Sequence, residues 1–265
     1  LPGSISVRSD SGPVVIGGDV AIELVLDTSG SMLRKIGKQQ RIQIAKTVLR
    51  SLVTDTLPAG IPVALRTFKS GKGSCDTVMA VPLGPLDPTT MAARFEGLKV
   101  NKGTKTPIGA TLRQVAGDLA GVEGPKVVVL VTDGEETCKG DPAAEVAALV
   151  ARGLDVQVNI VAFAIDDEQL QADIASWAAI GNGTSFQADD ATELGAAIAK
   201  ALAAPFRVYD ETGTLIASGI VGGPSVAVPV GAYRVDVLTD PMATFEAVVV
   251  TSGAGIDLVL GDPAP

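Results

Sequence analysis

The chain has 265 residues, 46% of them hydrophobic but only 3% aromatic, with 21 basic against 30 acidic side chains and a formal net charge of −9. That length suits one large and one small domain cored by small aliphatic side chains, and the negative charge disfavours nucleic acid and anionic membrane surfaces while favouring a cation or a basic partner. There is no histidine and there are two cysteines, which removes the usual general base, the commonest zinc ligand, and any Cys₄ zinc or iron–sulfur centre built within one chain.

No segment reaches the roughly 18 apolar residues of a membrane span, and the start at Leu1-Pro2-Gly3 lacks the basic and apolar regions of a signal peptide, so the chain reads as a trimmed or mature form. Residues 1–18 hold two short apolar stretches, Ile5 to Val7 and Val14 to Ile16, which are candidates to add strands to a β domain formed elsewhere. Val20 to Leu26 is the first buried strand. It runs straight into Asp27-Thr28-Ser29-Gly30-Ser31, which brings the short oxygen side chains of Asp27, Ser29 and Ser31 together where a strand ends. A carboxylate at that point is costly unless a positive charge compensates it. Mg²⁺ takes oxygen ligands and contacts only one or two carboxylates, so Asp27, Ser29 and Ser31 have the composition of a partial hard-cation shell.

Apolar residues three and four apart from Arg41 to Val53 predict an amphipathic helix. Ile61 to Phe68 and Thr77 to Leu83 read as strands, and helical patterns follow over Pro88 to Gly97 and Ile108 to Leu119. Between those helices lies the polar Gly103-Thr104-Lys105-Thr106-Pro107 loop, with Thr106 a further oxygen donor. Neither this loop nor Gly71-Lys72-Gly73-Ser74 has phosphate-loop spacing, which argues against nucleotide binding. Val127 to Thr132 is a second buried strand, and it ends at Asp133.

Beyond it come a helix from Pro142 to Arg152, a strand from Val156 to Ala164, and a helix opened by an Asp166–Gln169 capping box. Leu170, Ile174, Trp177 and Ala178 share one face of that helix, which makes Trp177 a core residue. A short strand at Thr184 to Gln187 and a helix from Thr192 to Ala204 complete the series. Strands alternating with helices predict an α/β fold with a doubly wound, mostly parallel six-stranded sheet flanked by helices, and ligands in such sheets bind outside the carboxyl ends of the strands. Past Pro205 the pattern changes to short alternating stretches separated by turns, which predicts a second, small all-β sandwich domain over 205–265.

Asp27-Thr28-Ser29-Gly30-Ser31, Thr106-Pro107-Ile108-Gly109 and Thr132-Asp133-Gly134-Glu135 resemble the three pieces of the metal-ion-dependent adhesion site of a von Willebrand factor type A domain. The resemblance covers roughly residues 19–204. It implies that Asp27, Ser29, Ser31, Thr106 and Asp133 hold Mg²⁺, Mn²⁺ or Ca²⁺ directly or through water, and that the third strand runs antiparallel. The bland reading makes Asp27 and Ser29 helix caps and the other two segments ordinary turns. The Val228 to Val235 segment is similar to strand pairs of transthyretin-like and carboxypeptidase-regulatory-like modules of extracytoplasmic proteins.

Cys75 and Cys138 fall in connections that reach the metal-site rim, where a bridge is plausible, and the Glu135 to Pro142 loop resembles that of secreted or periplasmic bacterial members of the family. A bridge argues for an extracytoplasmic location; two free thiols are the alternative. The function implied by the resemblance is a noncatalytic interaction module whose metal leaves a position for an Asp or Glu carboxylate of a protein partner. Its rivals are an assembly subunit of a cytosolic ATPase or chelatase machine and a metal-assisted hydrolase. Glu135 and Glu136 read either as solvated loop charges or as groups that act on the metal or its ligand.

Overall fold

The computed structural model describes residues 1–10, 14, 16–17, 20–239 and 241–261. The chain divides into two compact units, one comprising Val20–Ala201 and the other Leu1–Asp19 together with Leu202–Pro265. In chain order, β1 (Gly3–Ser9) belongs to the second unit, and β2 (Ala21–Leu26) opens the first. A hairpin of β3 (Lys35–Ile36) and β4 (Gln39–Gln40) leads into α1 (Arg41–Ser51), which continues as a π turn over Leu52–Thr56. There follow β5 (Pro62–Phe68), β6 (Thr77–Pro85), α2 (Pro88–Gly97), α3 (Ile108–Asp118) and β7 (Lys126–Thr132). The unit ends with α4 (Pro142–Ala151), β8 (Val156–Phe163), α5 (Glu168–Ile180), β9 (Ser185–Ala188) and α6 (Ala191–Ala201).

Its six strands lie in the order β6-β5-β2-β7-β8-β9, all parallel except β6, which returns antiparallel along β5. Every residue of β2, β7 and β8 is buried, the signature of strands covered on both faces. One face packs Val25, Val128, Leu130 and Ile160 against Leu112 and Val115 of α3, Leu149 of α4 and Ile174 of α5, with Trp177 packed partly buried against the same core. Three helices start alike: Asp87, Asp141 and Asp167 each accept a backbone N–H from three residues on, a cap worth about 1 kcal/mol apiece. For α5 the cap is thus Asp167, one residue after the Asp166 of the predicted capping box. Gln169 is used instead by Asp173, with Nε2 donating to its carboxylate.

The second unit holds β10 (Pro205–Asp210), β11 (Leu215–Ile220), β12 (Val226–Val228), β13 (Gly231–Val237), β14 (Ala243–Val250) and β15 (Gly255–Leu260). One sheet is antiparallel in the order β11-β10-β13-β14, and the other has the order β12-β1-β15. The two share a core that includes Ile5, Val7, Phe206, Val208, Val235 and Val250. β1 runs antiparallel to β12 but parallel to β15, with Ile5 opposite Ile256 and Val7 opposite Leu258. The unit is therefore not wholly antiparallel, because a strand supplied from the far end of the chain is free of the hairpin constraint that fixes the others. Of the second apolar stretch, Val14 accepts from the Ala204 N–H and Ile16 donates to the Leu202 carbonyl, neither in a strand; Val15 lies outside the described residues.

Candidate metal site at the sheet edge

The site begins with the pairing of β2 and β7. Leu26 stands opposite Val131, and the Asp27 N–H still donates to the Val131 carbonyl at 2.9 Å. Asp27 and Asp133 thus leave neighbouring strands side by side at the carboxyl edge, the place where open α/β sheets bind ligands. Asp27 is wholly buried. One of its carboxylate oxygens accepts the Ser29 N–H at 2.7 Å and the other the Thr132 hydroxyl at 2.7 Å. The Ser29 and Ser31 hydroxyls are 2.7 Å apart, and Ser31 Oγ donates to Asp133 Oδ1 at 2.6 Å. Asp133 Oδ2 accepts from Arg41 Nη1 at 2.8 Å.

Local backbone chemistry aims these groups. Thr28 Oγ1 donates to the Phe68 carbonyl at 2.8 Å, tying the first segment to the end of β5. The Gly30 N–H donates to the Thr104 carbonyl at 2.9 Å, and a Cβ at Gly30 would stand 2.9 Å from the Gly103 nitrogen. Only glycine permits that close approach of two loops. Thr106 is buried and lines the same cavity, of about 390 Å³, as Ser31, Arg34, Arg41, Asp133 and Glu135. Its backbone is clamped by Thr137, whose hydroxyl accepts the Thr106 N–H at 2.7 Å and whose N–H donates to the Thr106 carbonyl at 3.0 Å. All five residues singled out as ligands are thus gathered at one edge, four by direct hydrogen bonds and Thr106 across the cavity.

The two loop glutamates separate. Glu135 is exposed on the cavity rim. Glu136 is half-buried, with one oxygen accepting the Gly109 N–H at 2.8 Å and the other the Cys138 N–H at 2.5 Å. It supplies the carboxylate that the first turn of α3 lacks, since Pro107 gives that helix no side-chain cap. A single capping-type carboxylate from another loop has no signature in the local sequence. Cys75 and Cys138 form a disulfide with Cα atoms 5.6 Å apart, joining the β5–β6 connection to the loop after β7.

The donors are all oxygen, two carboxylates and three hydroxyls, a set that fits a hard divalent cation with room for water or a further ligand. Burial first, and then the negative charge of Asp133, push the Asp27 carboxyl up to about 6. A cation placed among these oxygens offsets both effects. Among the described residues no cluster of three or more carboxylate or thiolate groups surrounds a point, so a closed, all-carboxylate cage is not what this edge offers.

An open, mostly parallel sheet with helices on both faces and polar loops at its carboxyl edge defines a class of α/β interaction domains. The profile of the von Willebrand factor type A domain matches residues 21–200, and the chain belongs to that family. Its modules mediate protein interactions, and those with the adhesion-site motif bind divalent cations. The uncharacterized protein YwmD of Bacillus subtilis is 34% identical over 205 residues, spanning 72% of this chain and 88% of that relative. Among solved structures, a von Willebrand factor type A protein from Catenulispora acidiphila aligns with a TM-score of 0.57 at 16% identity, covering 97% of this chain and 73% of that one. Proximal thread matrix protein 1 of the mussel byssus, with zinc in its adhesion-site motif, aligns with a TM-score of 0.54 at 20% identity over 74% of this chain and 47% of that one.

Proposed function

We propose that this protein is a noncatalytic recognition module in which Asp27, Ser29, Ser31, Thr106 and Asp133 hold a divalent cation, Mg²⁺ or else Mn²⁺ or Ca²⁺, that takes an Asp or Glu carboxylate of a protein partner. The observation that carries the reading is the continuous chain of hydrogen bonds from Asp27 through Ser29 and Ser31 to Asp133, beside a cavity that Thr106 also lines. With two carboxylates and three hydroxyls as donors, the shell of a bound dication keeps a position open for an external carboxylate. The absence of histidine from the sequence leaves hydrolysis without its usual base.

The Cys75–Cys138 bridge favours an oxidising, extracytoplasmic setting over a cytosolic ATPase or chelatase assembly. No described helix is long and apolar enough to cross a membrane. We further assign residues 1–19 and 202–265 to one β module into which the cation-binding unit is inserted, on the strength of the β1 pairings with β12 and β15. The deciding experiment is calorimetric titration of the metal-stripped protein with Mg²⁺, Mn²⁺, Ca²⁺ and Zn²⁺, repeated on Asp27→Ala and Asp133→Ala. Saturable binding lost in both variants is the expected result. No binding by the native protein at millimolar metal would refute the assignment.

A further inference from the structure

Arg41 stands where a cationic side chain is unfavourable. It is the first residue of α1, whose amino terminus carries the positive end of the helix dipole, and only 12% of its side chain is exposed. Its Nε has no hydrogen-bond partner, while Nη1 donates to Asp133 Oδ2 at 2.8 Å. The β3–β4 hairpin and the bond from the Arg41 N–H to the Arg34 carbonyl at 2.9 Å fix the backbone that delivers it. Breaking a buried pair of this kind strands a charge, so the geometry is held by more than surface attraction.

We infer that Arg41 is a positioning residue that acts as the built-in counter-cation of the adhesion site, weakening the grip on the metal alone and strengthening the call for an anionic ligand. The inference rests on the metal assignment above. Asp133 Oδ2 is engaged by Arg41, so this carboxylate has Oδ1, shared with the Ser31 hydroxyl, to offer a cation. Charge decides the rest. Among the groups joined by direct hydrogen bonds at the metal position, Asp27 and Asp133 carry two negative charges and Arg41 one positive charge, so a dication leaves this inner set one positive charge in surplus, with Arg34, Glu135, Asp166 and Asp167 on the cavity lining outside it. One external carboxylate restores neutrality. Without Arg41 the loaded site is already neutral and a carboxylate gains little by entering. The recognised chemistry is therefore a carboxylate, and its binding and the metal's are mutually reinforcing through a reciprocal coupling.

The test is Mn²⁺ calorimetry on the native protein and on Arg41→Gln, Arg41→Met and Arg41→Lys, each in chloride and in acetate, with acetate's own association with Mn²⁺ subtracted. A unit charge a few ångströms from a dication is worth well over a tenfold change at an effective dielectric of about 20. After relaxation the Gln and Met variants are expected to bind Mn²⁺ about tenfold more tightly than the native protein and to lose the acetate enhancement; Arg41→Lys should keep native behaviour to within about threefold. A residue that merely held the fold together would give the opposite sign, weaker binding in all three. Unchanged or weakened affinity in Gln and Met, or Lys shifting as they do, overturns the inference while leaving the metal site intact. Binding in the charge-free variants but not in the native protein supports the inference and refutes the native site as an autonomous metal binder. No binding by any form overturns both readings.

Discussion

Reducing the Cys75–Cys138 bridge should destabilise the sheet unit by an amount that its loop length sets. The cysteines are 63 residues apart, and closing a loop of that size removes chain entropy worth about 4 kcal/mol from the unfolded state. For the roughly 180 residues of Val20–Ala201, an unfolding entropy of about 2.1 cal/mol/K per residue converts this to a fall in Tm of about 11 °C. Scanning calorimetry with and without a reductant, and on the Cys75→Ser/Cys138→Ser double variant, measures it directly. The β unit contains neither cysteine, so a transition belonging to it serves as an internal reference. A shift below about 3 °C would refute the entropic account and imply that the reduced chain keeps the two loops together when unfolded.

Three further perturbations follow from the geometry. Burial, followed by the charge of Asp118, pushes the Glu23 carboxyl up to about 9. The folded state therefore binds more protons than the unfolded one between about pH 4.5 and 9. The contribution of neutral Glu23 is complete below that window and is lost as pH rises through it, with a slope of up to about 1.4 kcal/mol per pH unit. Glu23→Gln should flatten this slope in urea midpoints taken at pH 5, 7 and 9; an unaltered slope would count against the assignment. Gly30→Ala forces a Cβ to within 2.9 Å of the Gly103 nitrogen and should cost about 1–3 kcal/mol together with Mn²⁺ affinity, so native affinity by calorimetry would contradict the close-approach argument. Glu136→Ala leaves the Gly109 and Cys138 N–H groups without their carboxylate, at a cost of about 1–3 kcal/mol in urea unfolding; a native midpoint would show that water replaces it.

Periodicity made the α/β unit legible because buried parallel strands such as Val127 to Thr132 are continuous apolar runs and their helices carry one apolar stripe. The first loop of the candidate site was legible for the same reason, since oxygen side chains at the end of such a run have no apolar role. Arg41, Thr132 and Thr137 were not singled out, and Glu136 was read as a solvated charge or a group acting on the metal, not as the carboxylate that caps α3. Each acts across a gap: Arg41 reaches Asp133 over 92 positions and Thr132 reaches Asp27 over 105. Glu23 shows the same limit inside an apolar run. It reads as an exception to the Ala21–Leu26 strand, and only the fold places Arg66 Nε 3.6 Å from its carboxyl while both carboxyl oxygens lack a hydrogen bond.

The sequence by itself determined most of the strands and helices of the α/β unit, that oxygen side chains end two buried strands, and that no histidine is present, because these follow from short-range periodicity and composition. The tertiary structure decided that β2 and β7 are neighbours, that β1 pairs with β12 and runs parallel to β15, and that a buried arginine faces Asp133. Those outcomes depend on which buried surfaces meet, and the energy of burying apolar area is non-directional. Local sequence therefore selects the elements, and the joint packing of the whole chain selects their partners.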